Sequence, residues 1–397
     1  VWVGEGAAEP VIPYYKADDL TNPIPKPTAT DGGEFTVKAT VGTGDNTATA
    51  TVDFAQFPYN NKGDGESPET AYEIYTISQL EDLAHAVNGT APYESPNNMQ
   101  GVYFKLTADI GTAADPVTTI IGNMNSSFCG HFDGAGHTVT LNIGGVDAAA
   151  ELANLGIDEM TLMYLTLMLE MGEIDPFMLE MLDLPEGVID DVLAILAQGP
   201  QSSSGLFGQL GSGGEIKNVT TAGSVNGLTY VGGVCGYNAG GTIIHCTNVG
   251  SVNGIERVGG VCGHNEGTIT NCTNIGSVNA SYDESGGVCG LNWGGTIANC
   301  YNVGNVGADV NAGGVCAVNY GTITNCYNAG SVSGSGYVGG VCGYNDGTIA
   351  NCYFDSTKNS SLNVIGNDED GNANVTACTG LTTTEMKAAT GADVALV

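Results

Sequence analysis

Residues 258–272 read VGGVCGHNEGTITNC, and near copies of this stretch stand before and after it. The copies are VGGVCGYNAGGTIIHCTNVGSV (231–252), VGGVCGHNEGTITNCTNIGSV (258–278), GGVCGLNWGGTIANCYNVGNV (286–306), GGVCAVNYGTITNCYNAGSV (313–332) and VGGVCGYNDGTIANCYF (338–354). A catalytic motif is needed once, so one that returns at a fixed period is a building unit. The first cysteines of the copies, Cys235, Cys262, Cys289, Cys316 and Cys342, stand 27, 27, 27 and 26 residues apart. The second cysteines are Cys246, Cys272, Cys300, Cys326 and Cys352. A degenerate copy without cysteine, GLFGQLGSGGEIKNVTTAGSV, precedes them at 205–225.

Each unit holds three short apolar patches (GGVCG, GTITNC and GSV) separated by Gly and Asn. No patch is long enough for a helix or spaced like one. Gly and Asn accept left-handed backbone angles, so the separators read as corners. Three strands and three corners in about 26 residues predict one coil of a right-handed parallel β-helix. Coils stacked about 4.8 Å apart place like residues over like. Val234, Val261, Val288, Val315 and Val341 are then one ladder, and Ile243, Ile269, Ile297, Ile323 and Ile349 another. Asn238, Asn265, Asn292, Asn319 and Asn345 form a corner ladder bonded amide to amide.

The unit GGVCGYNDGTIANCYF resembles the GLUG-type repeat of bacterial and archaeal cell-surface proteins. The likeness extends upstream through AYEIYTISQLEDLAHAVNG (71–89), YFKLTADI (103–110), TIIG (119–122) and FCGHFDGAGHTVTLNI (128–143). Downstream it takes in CYFDSTKN and TGLTTTEMKAATG, so it covers 67–391 with one interruption. The resemblance implies a secreted, surface-attached solenoid that serves as an adhesin or stalk module. Such proteins usually continue past this lead-out, so the chain ending at Val397 is expected to be a fragment or a processed product.

Composition agrees with that setting. The formal net charge is −34 with nine Lys and Arg, and Arg257 is the one arginine. Nucleic acid needs a basic face, which this chain lacks, and anionic lipid is disfavoured for the same reason. The longest apolar run, MTLMYLTLML (160–169), is too short to span a bilayer. No basic segment and apolar run stands ahead of a cleavage site, so any signal peptide is expected to be already gone or to lie outside this sequence.

The two cysteines of each coil leave two readings open. They close one disulfide per coil, stabilising by a few kcal/mol under the loop-entropy estimate, or they form two ladders of buried free thiols. Pairing requires an oxidising compartment. Cys129 and Cys378 fall outside both ladders and have no assigned partner.

The chain divides by composition into 1–66, an N-terminal extended and β-hairpin segment that resembles the last strands of an immunoglobulin-like surface module or an exchanged strand; 67–146, the first coils; 147–200, a helical insertion; 201–356, the repeat coils; and 357–397, the lead-out. GEFTVKATVGTGDNTATATVDF (33–54) alternates apolar and polar residues across a GTGDN turn and predicts a hairpin. NPIPKPT (22–28) reads as an extended strap. A lone hairpin is unstable in water, so it packs on the solenoid or completes a sheet in a neighbouring molecule. A helix over 77–88 is predicted to cap the first coil, with a capping box from Thr76 and Gln79 or from Ser78 and Glu81. Asn88-Gly89 ends it.

The insertion, 147–198, carries twelve acids and no Lys or Arg. Asp147, Asp158 and Asp175 read as N-caps of an all-helical subdomain. Its apolar residues are too dense for every helix to be half-solvated. Met160, Met163, Leu167, Met168, Met171, Phe177, Met178 and Met181 are the candidate contact surface for a second copy or a partner.

Catalysis on a β-helix needs paired carboxylates on one face. The acids within the repeats (Glu266, Asp283, Glu284, Asp309 and Asp346) look scattered. His131, Asp133 and His137 in GHFDGAGH suggest a metal site, which the resemblance explains instead as a turn. NDEDGNAN (367–374) resembles part of a calcium loop without the closing Glu. No catalytic, cofactor or metal site is therefore assigned. The expectation is a non-enzymatic extracellular structural protein that self-associates through its N-terminal segment or insertion. The alternative is a monomeric adhesin that binds glycan or a host surface, for which Tyr237, Trp293, Tyr320 and Tyr344 supply aromatics near the corner Asn. A carbohydrate-active enzyme stands third.

Overall fold

The computed structural model describes residues 65–89, 98–144, 161, 203–367 and 374–389, and the backbone of four strands nearer the start. Most of the described residues form a parallel β-solenoid. Each of the first four repeat coils contributes five short strands, and the last contributes four. In the first full coil these are Val231–Gly232, Cys235–Asn238, Thr242–Ile244, Thr247–Asn248 and Ser251–Gly254. The three predicted strands per coil are thus subdivided. The GGVCG patch bends after Gly232, where Val234 and Cys235 both donate to the carbonyl of Val261 at 3.0 Å. Glycine is required there. A Cβ on Gly259, the equivalent residue one coil on, would lie 1.9 Å from the Cys262 carbonyl oxygen and 2.8 Å from Cys289 Cα.

The coils stack in register into sheets of ten, twelve, seven and five strands. The ten-stranded sheet runs from Tyr72–Ile74 to Asn374–Thr376. Its inward residues include Phe104, Phe132, Ile216, Ile243, Ile269, Ile297, Ile323 and Ile349, all buried. Each isoleucine removed from water contributes roughly 1.5–3 kcal/mol. The first coils fill the same space with large rings, Phe128 and Phe132 each lying 5.1 Å from Phe207 between centroids. The valine ladder from Val234 to Val341 is fully buried, as its period requires.

The corner asparagines form the expected amide ladder. Asn238 Nδ2 donates to Asn265 Oδ1 at 2.8 Å, and the chain continues through Asn292, Asn319 and Asn345 at 2.8, 2.7 and 2.7 Å. A second ladder, Asn248–Asn274–Asn302–Asn328, runs at the TN strands with 2.8 Å at each step. Buried amides persist only when their bonds are satisfied, and stacking identical residues satisfies them. The residue before each second cysteine takes the left-handed conformation: φ is 53° at Asn271 and Asn299 and 54° at Asn325 and Asn351.

Helix α1, Ile77–Val87, caps the first coil and buries Leu80, Leu83, Ala84 and Val87. Its capping box is the Thr76–Gln79 pair. Thr76 Oγ1 accepts from the Gln79 amide at 3.2 Å, and Gln79 Oε1 accepts from the Thr76 amide at 3.2 Å. Helix α2, Thr383–Ala389, closes the lead-out.

The predicted hairpin is not alone. Strands β1 (Tyr14–Lys16), β2 (Asp19–Ile24), β3 (Phe35–Thr40) and β4 (Thr47–Ala50) make an antiparallel sheet in the order β2-β1-β3-β4. The start of the expected Pro-rich strap, 22–24, belongs to β2, and β1 supplies the pairing a lone hairpin would lack. The helical insertion lies outside the described residues, apart from Thr161.

Candidate functional site

The two cysteine columns stack as separate ladders, and all twelve cysteines are free thiols. In the first, Cys235, Cys262, Cys289, Cys316 and Cys342 pair in register, with Phe207 before them and Ile365 after. In the second, each amide donates to the sulfur one coil on. Cys246 reaches Cys272 at 3.5 Å, Cys272 reaches Cys300 at 3.4 Å, Cys300 reaches Cys326 at 3.4 Å and Cys326 reaches Cys352 at 3.5 Å. Cys378 is the sixth rung, its sulfur accepting from the Cys352 amide at 3.3 Å. It had looked partnerless because the copy holding it, NVTACTG, has lost the GGVCG half of the repeat. Cys129 does stand apart, half-buried, with its thiol 3.8 Å from the Ser127 carbonyl. Burial pushes the Cys235, Cys272, Cys289, Cys326 and Cys342 thiols well above their ordinary value, whereas, against their burial, bonds from neighbouring thiols hold Cys262, Cys300 and Cys352 below theirs, so the rungs of each ladder interact electrostatically.

The other sequence candidates disperse. Met160, Met163, Leu167, Met168, Met171, Phe177, Met178 and Met181 lie outside the described residues, as does most of the calcium-like segment. His131 stacks on Tyr103 at 4.3 Å, and His137 meets Asp109 at 3.2 Å. Asp133 accepts from the Ala135 amide and from Asn218 Nδ2. GHFDGAGH is thus a strand, His131–Asp133, followed by a turn closed by the His137 amide on the Gly134 carbonyl, and no group of metal-ligating side chains occurs among the described residues.

One edge of the solenoid differs from the rest. Three outward columns meet there, each at a fixed offset from the first cysteine. Five residues before it stand Tyr230, Arg257, Glu284, Asn311 and Tyr337; two after it, Tyr237, His264, Leu291, Val318 and Tyr344; four after it, Ala239, Glu266, Trp293, Tyr320 and Asp346. The last column follows directly on the buried corner asparagines. Its main chain is bonded coil to coil, Glu266 to Asn238, Trp293 to Asn265 and Tyr320 to Asn292 at 2.8 Å, and Asp346 to Asn319 at 2.9 Å. Trp293 is 53% exposed and Tyr320 39%, and their rings meet edge to face at 4.8 Å. Tyr344 lies 6.0 Å from Tyr320 and 6.4 Å from Tyr337. Leu291 and Val318 are buried beside them.

The other end of this edge is charged. Arg257 donates from Nη1 to Tyr230 Oη at 2.8 Å and from Nε to Glu284 Oε2 at 3.1 Å, and meets Glu256 Oε1 at 3.1 Å. Tyr237 Oη donates to Glu266 Oε1 at 2.8 Å, and His264 Nε2 lies 3.4 Å from the same oxygen. Burial pushes the Glu284 carboxyl up to about 7 against the pull of Arg257. Burial also holds His264 below its ordinary value, so its ring is neutral at neutral pH.

Of the acids that looked scattered in the chain, Glu284 pairs with Arg257, Asp283 accepts from the amides of Glu284 and Asn311, and Glu266 accepts from Tyr237. Of the four aromatics singled out from sequence, Trp293, Tyr320 and Tyr344 come together, and Tyr237 joins Tyr230 and His264. Sequence reading missed Tyr230, Arg257, His264 and Glu284 as site residues. The signal was present in the columns: the offset that carries a small residue elsewhere carries a ring or a charge in consecutive copies.

The GLUG motif matches residues 227–253, 254–279 and 334–358. No curated protein matches the chain. The fold is similar to the crystal structure of "a putative immunoglobulin A1 protease" from Bacteroides ovatus, with a TM-score of 0.52 and 20% identity over 83% of this chain and 88% of that one. At that identity the likeness concerns the fold alone. No helix among the described residues is long and apolar enough to cross a membrane.

Proposed function

We propose that the chain is an extracellular, surface-displayed module that works by adhesion without catalysis, its solenoid acting as a rigid spacer and its aromatic edge as a carbohydrate-binding face. The observation that carries this reading is the exposed Trp293–Tyr320 pair, flanked by Tyr337 and Tyr344. Exposed aromatic clusters on a soluble surface mark contact sites, and aromatic rings combine apolar faces with polar handles. The carboxylates on the edge support binding over reaction, since Arg257 engages both Glu256 and Glu284. The acidic chain disfavours nucleic acid and anionic surfaces. A glycan array probed with the purified chain and with Trp293→Ala tests the reading. Binding that the substitution abolishes is expected, and an array without any signal refutes it.

A second reading, a self-associating subunit of a surface fibre or layer, is favoured by the N-terminal sheet. Its outer strands β2 and β4 each pair on one side only among the described residues, and such edges accept a further strand. Electron microscopy at rising concentration distinguishes ordered assemblies from isolated rods.

A further inference from the structure

The column that follows the corner asparagines reads Glu266, Trp293, Tyr320, Asp346 over four consecutive coils: a carboxylate, two exposed aromatics and a carboxylate. We propose that this row is the binding site for an unbranched, neutral, β-1,4-linked polysaccharide laid parallel to the solenoid axis, one sugar residue to each coil. The inference rests on the carbohydrate reading above and specifies its ligand.

Four features carry it. The first is spacing. The four main-chain amides bond to the coil before at 2.8–2.9 Å, so the rungs repeat at the strand separation of about 4.8 Å. That is close to the length of one extended pyranose residue, so an axial chain stays in step over four rungs. A ligand crossing the axis would meet one rung only.

The second is chemistry. The rings of Trp293 and Tyr320 present apolar surface to the C–H faces of sugars. They meet at 63°, so the floor turns between rungs as a twisting chain does. The carboxylates at either end accept hydrogen bonds from sugar hydroxyls. Glu266 Oε1 accepts from Tyr237 Oη with His264 Nε2 3.4 Å away, and its Oε2 has no protein partner among the described residues. The Asp346 carboxylate has no side-chain partner among them either.

The third is charge. Carboxylates at both ends of the row, in a chain of net charge −34, repel anionic polysaccharides. The one arginine is engaged by two glutamates and offers no anion site. The ligand is therefore neutral.

The fourth is rigidity. Each rung follows an asparagine whose buried amide is bonded along the axis at 2.7–2.8 Å. The row is set before the ligand arrives, which lowers the ordering cost of binding.

Calorimetric titration with cello- and xylo-oligosaccharides, from disaccharide to hexasaccharide, tests the proposal. Affinity is expected to rise from disaccharide to tetrasaccharide and then level off. Trp293→Ala should weaken tetrasaccharide binding by more than about tenfold, as the loss of a central aromatic anchor does. Glu266→Gln and Asp346→Asn should each weaken the tetrasaccharide more than the disaccharide. Ile275→Ala, which truncates a side chain 50% exposed outside the row, should change nothing. Disaccharide binding as tight as tetrasaccharide binding overturns the axial arrangement while leaving carbohydrate binding intact. So does equal binding of maltohexaose, whose chain curves, or array binding confined to branched or anionic glycans. An array with no binding at all overturns both readings.

Discussion

Asn292 is the middle rung of the corner ladder, and replacing it with alanine isolates what the ladder contributes. Its side chain is fully buried. It makes three bonds: Oδ1 accepts from Asn265 Nδ2 at 2.8 Å, and Nδ2 donates to Asn319 Oδ1 at 2.7 Å and to the Gly295 carbonyl at 3.1 Å. At about 1 kcal/mol net for each bond, Asn292→Ala costs about 3 kcal/mol. The neighbours soften this, since Asn265 Nδ2 keeps the Gly267 carbonyl and Asn319 Oδ1 keeps the Gly321 amide. Asn345 ends the ladder with two bonds, one from Asn319 and one to the Gly347 carbonyl, so Asn345→Ala costs about 2 kcal/mol. Asn305 is exposed and accepts only from Ser331, so Asn305→Ala stays within about 0.5 kcal/mol. Solenoids unfold coil by coil, so a single melting temperature averages over the effect. Amide hydrogen exchange resolved to the coils at 286–306, 313–332 and 338–354 reads it where it occurs. If the three variants lose equal protection, or Asn292→Ala loses less than Asn345→Ala, the ladder is not cooperative support and the reasoning fails.

Three further outcomes follow from the same geometry. Gly259→Ala places a methyl 1.9 Å from the Cys262 carbonyl oxygen, and overpacking of this kind costs about 1–3 kcal/mol; loss of exchange protection at 258–265 checks it. Alkylation of the native chain without reductant should modify only the half-buried Cys129 and Cys378, and all twelve cysteines after denaturation; fewer than twelve in the denatured mass spectrum would reveal disulfides. Glu284 has its folded pKa raised from 4.5 to about 7, so the folded state holds the extra proton and stability falls as pH rises across that window. Glu284→Gln should flatten that slope in denaturation curves taken along the pH range, and an unchanged slope would show that the group does not titrate there.

The fold was legible because its information is local and repeated. The 26–27-residue period, the buried Val and Ile columns and the corner asparagines follow from residues stacking on their own copies. So does the Thr76–Gln79 cap, whose bonds span three residues. Registration decided the rest. Cys378 became a sixth rung because the coil that carries it stacks on the coil before, with Tyr353 opposite Thr379. Arg257 and Glu284 stand 27 residues apart in the chain and 3.1 Å apart in space. A column at one offset shows in the sequence once the copies are aligned. That three such columns share one edge shows only when the chain bends after Gly232 and its equivalents. The sequence alone therefore determined a stacked coil with a small, uniform interior. Only the tertiary structure decided which outward residues meet, because that depends on how many corners a coil takes and where each one turns.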